Sequence, residues 1–381
     1  MNAPGEESQK MHKRRISLLL LFVTFSFLLS ACGGTPAPAS WPESLVVDKA
    51  TLQKLTTDQA IADKQVDTLF VSSGSFVYAI NAETGQEIGR YPEKAEGTNM
   101  YASAPALLNG SLYVGDYSSQ FHSIDPTTRL QKWVKKDATG RFIASPVMID
   151  DLILAPNADG HLYAYNSNGE VRWKFAASNG IWSTPVTDGK TVFISSMDRK
   201  LYAIDPGAEG KVLWTVDLGG SVVFSQVLGK DGNLYIGTLN NEIFSIASDS
   251  GKINWQVKTS GGVWSPVVVD NDKIFAGDQS GKVFALSSKD GSKIWETDAG
   301  SPVVGGLALT DKGLFVGTQN GDALCISVNG QKVWTQTVGG KLYATPVVSG
   351  NNVIFGVFEG DKSLAALDEN GKLVWTFTPS K

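Results

Sequence analysis

The chain has 381 residues with 33 basic and 38 acidic side chains, a formal charge of only −5. Binding a polyanion by counterion release needs clustered Lys and Arg, which this sequence lacks, so nucleic acid is excluded as a partner. Charged residues at 19% beside 42% hydrophobic residues, 40 glycines and 10 tryptophans exclude disorder and a coiled coil, and they suit an all-β chain rich in turns.

Lys10, Lys13, Arg14 and Arg15 precede a charge-free apolar run from Ile16 to Leu29, followed by Ser30, Ala31 and Cys32. A positive segment, a short apolar segment and small residues at a cleavage point predict an export signal over residues 1–31. The run is shorter than the roughly 20 residues that cross a bilayer as a helix. Leu29-Ser30-Ala31-Cys32 resembles the lipobox of bacterial lipoproteins, which implies that Cys32 carries acyl chains and becomes the exported N-terminus. Such an anchor would hold the chain to the cell membrane or outer membrane, on its periplasmic or extracellular side. Residues 32–66 are expected to form a lipidated linker and N-terminal segment, with Gly33 to Pro42 as a Gly, Pro and Ala tether, and residues 67–381 the folded body.

The body is periodic. Trp133, Trp173, Trp214, Trp255, Trp295, Trp334 and Trp375 recur every 39 to 41 residues, and a second series from Pro105 to Pro346 keeps the same phase. Between successive tryptophans lie four short segments of β-branched and aromatic residues bounded by Gly, Asp, Asn and Ser, such as STPVTD, TVFISS, KLYAID and KVLWTVD. Four strands per forty residues predict a propeller blade, and a lone blade cannot cover both of its faces. The third and fourth strands share Ala-x-Asp, then Gly, then Trp, as in Ala203, Asp205, Gly210 and Trp214. Each residue type has a reason: Ala for close approach, Asp to accept turn N–H groups, Gly for positive φ, and Trp to dock on the neighbouring blade.

This motif resembles the tryptophan-docked blades of the pyrroloquinoline quinone (PQQ) repeat superfamily over residues 68–381. The fold expected is an all-β, eight-bladed propeller of four-stranded antiparallel blades. Its first blade would carry Gly89 at the Trp position and take Ser44 to Asp48 (SLVVD) as its inner strand, closing against the blade of Trp375. Seven blades with an appended hairpin is the alternative. The resemblance implies one of two roles. One is an envelope lipoprotein that serves as a non-catalytic scaffold in outer-membrane β-barrel protein assembly, although no loop here matches that lipoprotein's Leu-Ser-Leu-Arg-Gly-Glu-Ser-Ala-Pro docking run. The other is a quinoprotein dehydrogenase, which would hold PQQ and calcium and commonly carries adjacent cysteines.

Chemistry is sparse. Adjacent cysteines are absent, and Cys325 holds the small-residue position of its repeat, so it reads as a buried apolar group. His122 stands in the aromatic slot of a third strand and His161 at a solvated position, neither with a repeated partner. No metal, no cofactor and no catalytic residue is expected. Recognition is expected on the rim, where loops entering the inner strands carry Tyr101, Phe142, Trp182, Phe224, Trp264 and Tyr343. Neighbouring turns carry Asp116, Asp159, Asp198, Asp278, Asp322 and Asp361, with Arg199 beside Asp198. Aromatics beside acids suit an envelope protein or peptide partner, while the plain alternative is aromatics filling the hub and aspartates making turns. Trp182 and Trp264 are the strongest single candidates, and they would also serve a carbohydrate-binding propeller. The ring is expected to be monomeric.

Overall fold

The computed structural model describes residues 44–48, 67–95 and 99–379, so the export signal, Cys32 and the tether lie outside the described residues. Thirty-two strands form eight separate four-stranded antiparallel sheets, each in sequence order. Blades 1 to 8 span residues 44–91, 106–135, 147–176, 186–217, 227–258, 268–298, 307–337 and 347–377. The inner strand of blade 1 is Ser44–Asp48, whose backbone pairs antiparallel with Thr68–Ser73. Eight blades is therefore the observed architecture, and the seven-bladed alternative falls.

Strand position dictates composition. In blade 6 the second strand Lys273–Gly277 (KIFAG) and third strand Lys282–Ser287 (KVFALS) are buried along nearly their whole length, because neighbouring blades cover both faces. The outer strand Lys293–Asp298 (KIWETD) has only one covered face and alternates accordingly. Apolar clusters straddle the joints: Tyr235, Ile243 and Val263 meet Ile274, Ala276 and Phe284 between blades 5 and 6. Leu69, Val71 and Tyr78 of blade 1 meet Ile354, Leu364 and Trp375 of blade 8, which closes the ring.

The Ala, Gly and Trp of the motif act together at these joints. In each blade the register between third and outer strands slips just after a small residue. Ala203 opposes Trp214, Ala285 opposes Trp295 and Cys325 opposes Trp334. The bulge twists the outer strand and aims the indole at the next blade. There it rests on a glycine: Gly85, Gly169, Gly210, Gly251, Gly291, Gly330 and Gly371 all have positive φ. A Cβ added at any of them would lie 2.5–2.9 Å from an indole carbon. Six of the seven indoles also donate Nε1–H to a turn carbonyl, among them Trp133 to Ser167 O at 2.9 Å and Trp255 to Ser288 O at 2.8 Å. Trp375 donates to Ala82 O at 3.2 Å across the closure. Trp173 has no acceptor among the described residues. Its partner turn, from Asp205 to Gly210, is longer than the others.

Candidate protein-docking face

The loops that leave each outer strand and the turns that join second to third strands meet on one rim. Each loop is fixed by one anchor residue. Tyr101, Phe142, Ile181, Val222, Val263, Val303 and Leu342 are all at most 3% exposed. Several anchor N–H groups bond to carbonyls of the neighbouring turn: Phe142 to Asp116 O at 3.1 Å, Ile181 to Asn157 O at 3.0 Å, Val263 to Thr238 O at 3.0 Å and Leu342 to Thr318 O at 3.1 Å. The side chains of Phe142, Val263, Val303 and Leu342 fill notches left by Gly115, Gly237, Gly277 and Gly317 at the ends of second strands.

This register divides the aromatic set. Tyr101 and Phe142 are anchors buried between blades, which removes them from any exposed contact surface and corrects the expectation that they would form one. Trp182, Trp264 and Tyr343 follow their anchors by one residue, at the same place as Ile143 and Val223, and all five are half-buried. Phe224 lies one residue further on and is also half-buried. Tyr343 is extended by Phe358 at 5.7 Å between ring centroids. The rim thus carries apolar side chains at equivalent positions in successive loops, with aromatics at blades 4, 6 and 8. The buried anchor, and not the nearest aromatic, marks the equivalent position from loop to loop.

Most of the acids face inward. Asp159 accepts the Thr139 and His161 N–H groups at 3.0 Å and the Tyr163 hydroxyl at 2.7 Å. Burial alone would push this carboxyl up, but the hydrogen bonds outweigh it and hold the group below the ordinary carboxylate range. Asp198 likewise accepts from Ser178 N, Lys200 N and Tyr202 OH at 2.9, 3.1 and 2.6 Å. Asp278, fully buried, accepts from Gly261 N, Ser280 N and Lys282 N at 2.9–3.0 Å. In each case one donor belongs to the loop arriving from the preceding blade, so the carboxylate stitches that loop to the turn. Asp322 takes the Thr337 hydroxyl at 2.6 Å, and only Asp361 is freely exposed, beside Lys362. Arg199 is exposed at φ 72° and makes no ion pair among the described residues. Arg141 lies over the Tyr117 ring at 5.1 Å. What remains on this rim is largely apolar and aromatic surface with cations, Asp361 and Glu359 being the acids left exposed beside Lys362 and Lys341.

His122 occupies the aromatic slot expected for it, but it is also part of a chain the sequence did not reveal. Its Nε2 lies 3.1 Å from the buried carboxylate of Asp116, and its Nδ1 lies 3.2 Å from the Tyr91 hydroxyl, which donates to Gln131 Oε1 at 2.7 Å. Cys325 is buried opposite Trp334, and that burial pushes its thiol up, away from the reactive thiolate. Among the described residues no three His, Cys, Asp or Glu side chains converge as metal ligands.

Eight four-stranded blades closed by indole docks define a propeller of the PQQ-repeat class. The chain belongs to the family described as outer membrane protein assembly factor BamB, whose model matches residues 73–181, 168–304 and 289–381. It is 26% identical over 187 residues to the tetrathionate hydrolase of Acidithiobacillus ferrooxidans, covering 49% of this chain and 34% of that one. It is 25% identical over 166 residues to the outer membrane protein assembly factor BamB of Nitrosomonas eutropha, covering 41% and 39%. The matched stretches thus span well under two thirds of these relatives. The crystal structure of BamB from Moraxella catarrhalis shares the fold with a TM-score of 0.63 at 17% identity, over 86% of this chain and 95% of that one.

Proposed function

We propose that this chain is an exported lipoprotein, anchored through Cys32, whose propeller holds an envelope protein on the loop rim during outer-membrane β-barrel protein assembly. The observation that carries this reading is the rim itself: half-buried Trp182, Trp264 and Tyr343 stand at one repeated loop position while the neighbouring acids are turned inward onto backbone N–H groups. Apolar and aromatic surface of this kind suits a protein partner, because Tyr and Trp bury large area at small entropic cost. Family membership supports the assembly role. The scaffold is proposed to be non-catalytic and monomeric, with residues 1–31 removed and residues 32–66 linking lipid to propeller.

The test is complementation. In cells lacking this protein, outer-membrane β-barrel proteins should accumulate less, the wild-type chain should restore them, and a Trp182→Ala, Trp264→Ala variant of unchanged melting temperature should not. Full rescue by the double variant removes the rim from the reading. Cys32→Ser should move the protein from the membrane to the soluble fraction. The competing dehydrogenase reading requires PQQ and Ca²⁺ together to raise the melting temperature, and an unchanged melt at saturating cofactor dismisses it. A glycan array without hits would do the same for carbohydrate binding.

A further inference from the structure

The register of the first strand fixes where the chain enters the ring. Ser44 pairs with Ser72 and Asp48 with Thr68, so the inner strand of blade 1 runs from the loop rim toward the opposite face. The turn after Ser73 marks the rim end, because the N–H of Tyr101, an anchor of the rim loops, bonds to Gly74 O at 2.9 Å. Entry is therefore on the rim side, beside the inner strand of blade 8, Val347–Ser349. Cys32 precedes Ser44 by only 12 residues.

A chain of that length spans roughly 20 Å on average and about 40 Å when fully extended. Passing round to the opposite face means crossing a sheet of four strands spaced about 4.8 Å apart and then following a strand for about 17 Å. That path is on the order of 30 Å before side chains and turns are added, longer than the average span. The two faces also differ in charge. On the opposite face, the turns joining inner to second strands carry exposed Asp150, Asp151, Asp188, Asp231, Asp272 and Asp311 against Lys190, Lys230 and Lys312. On the rim, Asp298, Glu359 and Asp361 each pair with a lysine, while Arg141 and Arg199 make no ion pair among the described residues.

We propose that the anchored ring, when no protein occupies it, lays its loop rim on the anionic phospholipid surface to which it is tethered. Half-buried Trp182, Trp264 and Tyr343 suit the headgroup layer, where amphipathic rings collect, and Arg199 and Arg141 are drawn to anionic lipid. The acidic turns of the opposite face are repelled by the same surface. The short chain from Cys32 holds the rim within reach of the bilayer, which raises its effective concentration there. This rests on the anchor at Cys32 and adds a second, lipid ligand to the rim.

The test uses the full lipidated chain in vesicles of phosphatidylethanolamine and phosphatidylglycerol that carry an energy-acceptor lipid. A donor dye is attached on the rim at Ser118→Cys or on the opposite face of the same blade at Thr127→Cys, both exposed turn positions, while Cys325 is buried. The rim dye should lose most of its emission to the acceptor lipid, and the opposite dye clearly less. Trp182→Ala with Trp264→Ala should reduce transfer from the rim dye, as should vesicles of phosphatidylcholine alone. Freed of its tether, the Cys32→Ser chain should still bind the anionic vesicles weakly, and Arg199→Gln should weaken that binding about fivefold. Equal transfer from both dyes, stronger transfer from the Thr127 position, or full binding by the Arg199→Gln variant would overturn the proposal. Rescue of β-barrel proteins by the double Trp variant would instead remove protein docking and leave the transfer signals standing, whereas a chain that gains no acyl group at Cys32 sinks both.

Discussion

At the scale of single residues, the Ala-Asp-Gly-Trp motif was readable because each position answers one steric or hydrogen-bonding demand, met in full in blades 4 and 8 and in looser copies around the ring. One of its details was not. Sequence spacing does not say whether an indole N–H finds a carbonyl, and the longer turn facing Trp173 supplies none among the described residues. Trp173 and Trp375 make the consequence measurable, both being 8% exposed while only Trp375 has an acceptor. Replacing each by Phe removes similar apolar area, so Trp375→Phe should cost about 1 kcal/mol more than Trp173→Phe in chemical denaturation. Gly251, at φ 73° with a Cβ position 2.8 Å from the Trp214 ring, sets a sharper test. Gly251→Ala imposes both backbone strain and overpacking, and a loss of about 2–4 kcal/mol is expected by the same measurement.

At the scale of elements, strands declared themselves and loops did not. A strand between two blades must be apolar on both faces, whereas the order of residues in a loop depends on which one the turn grips. The anchor positions hold Tyr, Phe, Ile, Val or Leu, so apolarity alone hides them, and prominent aromatics one residue away draw the eye instead. The aspartates misled in the opposite sense: what resembled an acidic rim is a set of loop stitches. Asp159 shows how such a stitch responds to pH. Its carboxyl is held below the ordinary value of about 4, so its stabilising effect is fully present above that value and disappears as pH falls through the lower folded-state value. Asp159→Asn should therefore cost about 2 kcal/mol at neutral pH, and the gap to wild type should shrink in melts taken below pH 4.

At the scale of the whole molecule, the ring is sealed by contacts between residues almost 300 positions apart, Trp375 on blade 8 with Ala82 and Gly85 on blade 1. These two contacts fall on the turn after the third strand of blade 1, far across the sheet from its inner strand Ser44–Asp48, while Leu69 and Val71 of the second strand pack in the same seam. Ser44–Asp48 was legible as an inner strand because SLVVD has the same apolar run ending in Asp as the PVVVD that opens blade 6, and it pairs with Thr68–Ser73. It covers the edge of Thr68–Ser73 and also lies beside the inner strand of blade 8, Val347–Ser349, across the closure. A chain lacking residues 44–48 should still close through Trp375, but with an unpaired strand edge that invites pairing between molecules. Size-exclusion chromatography with light scattering should show dimers and larger species at concentrations where the intact chain is monomeric. Adding a peptide spanning Ser44–Asp48 should return the monomer. A truncated chain that stays monomeric with an unchanged melt would mean that the edge needs no cover, whereas one that fails to fold would make this strand part of the closure itself.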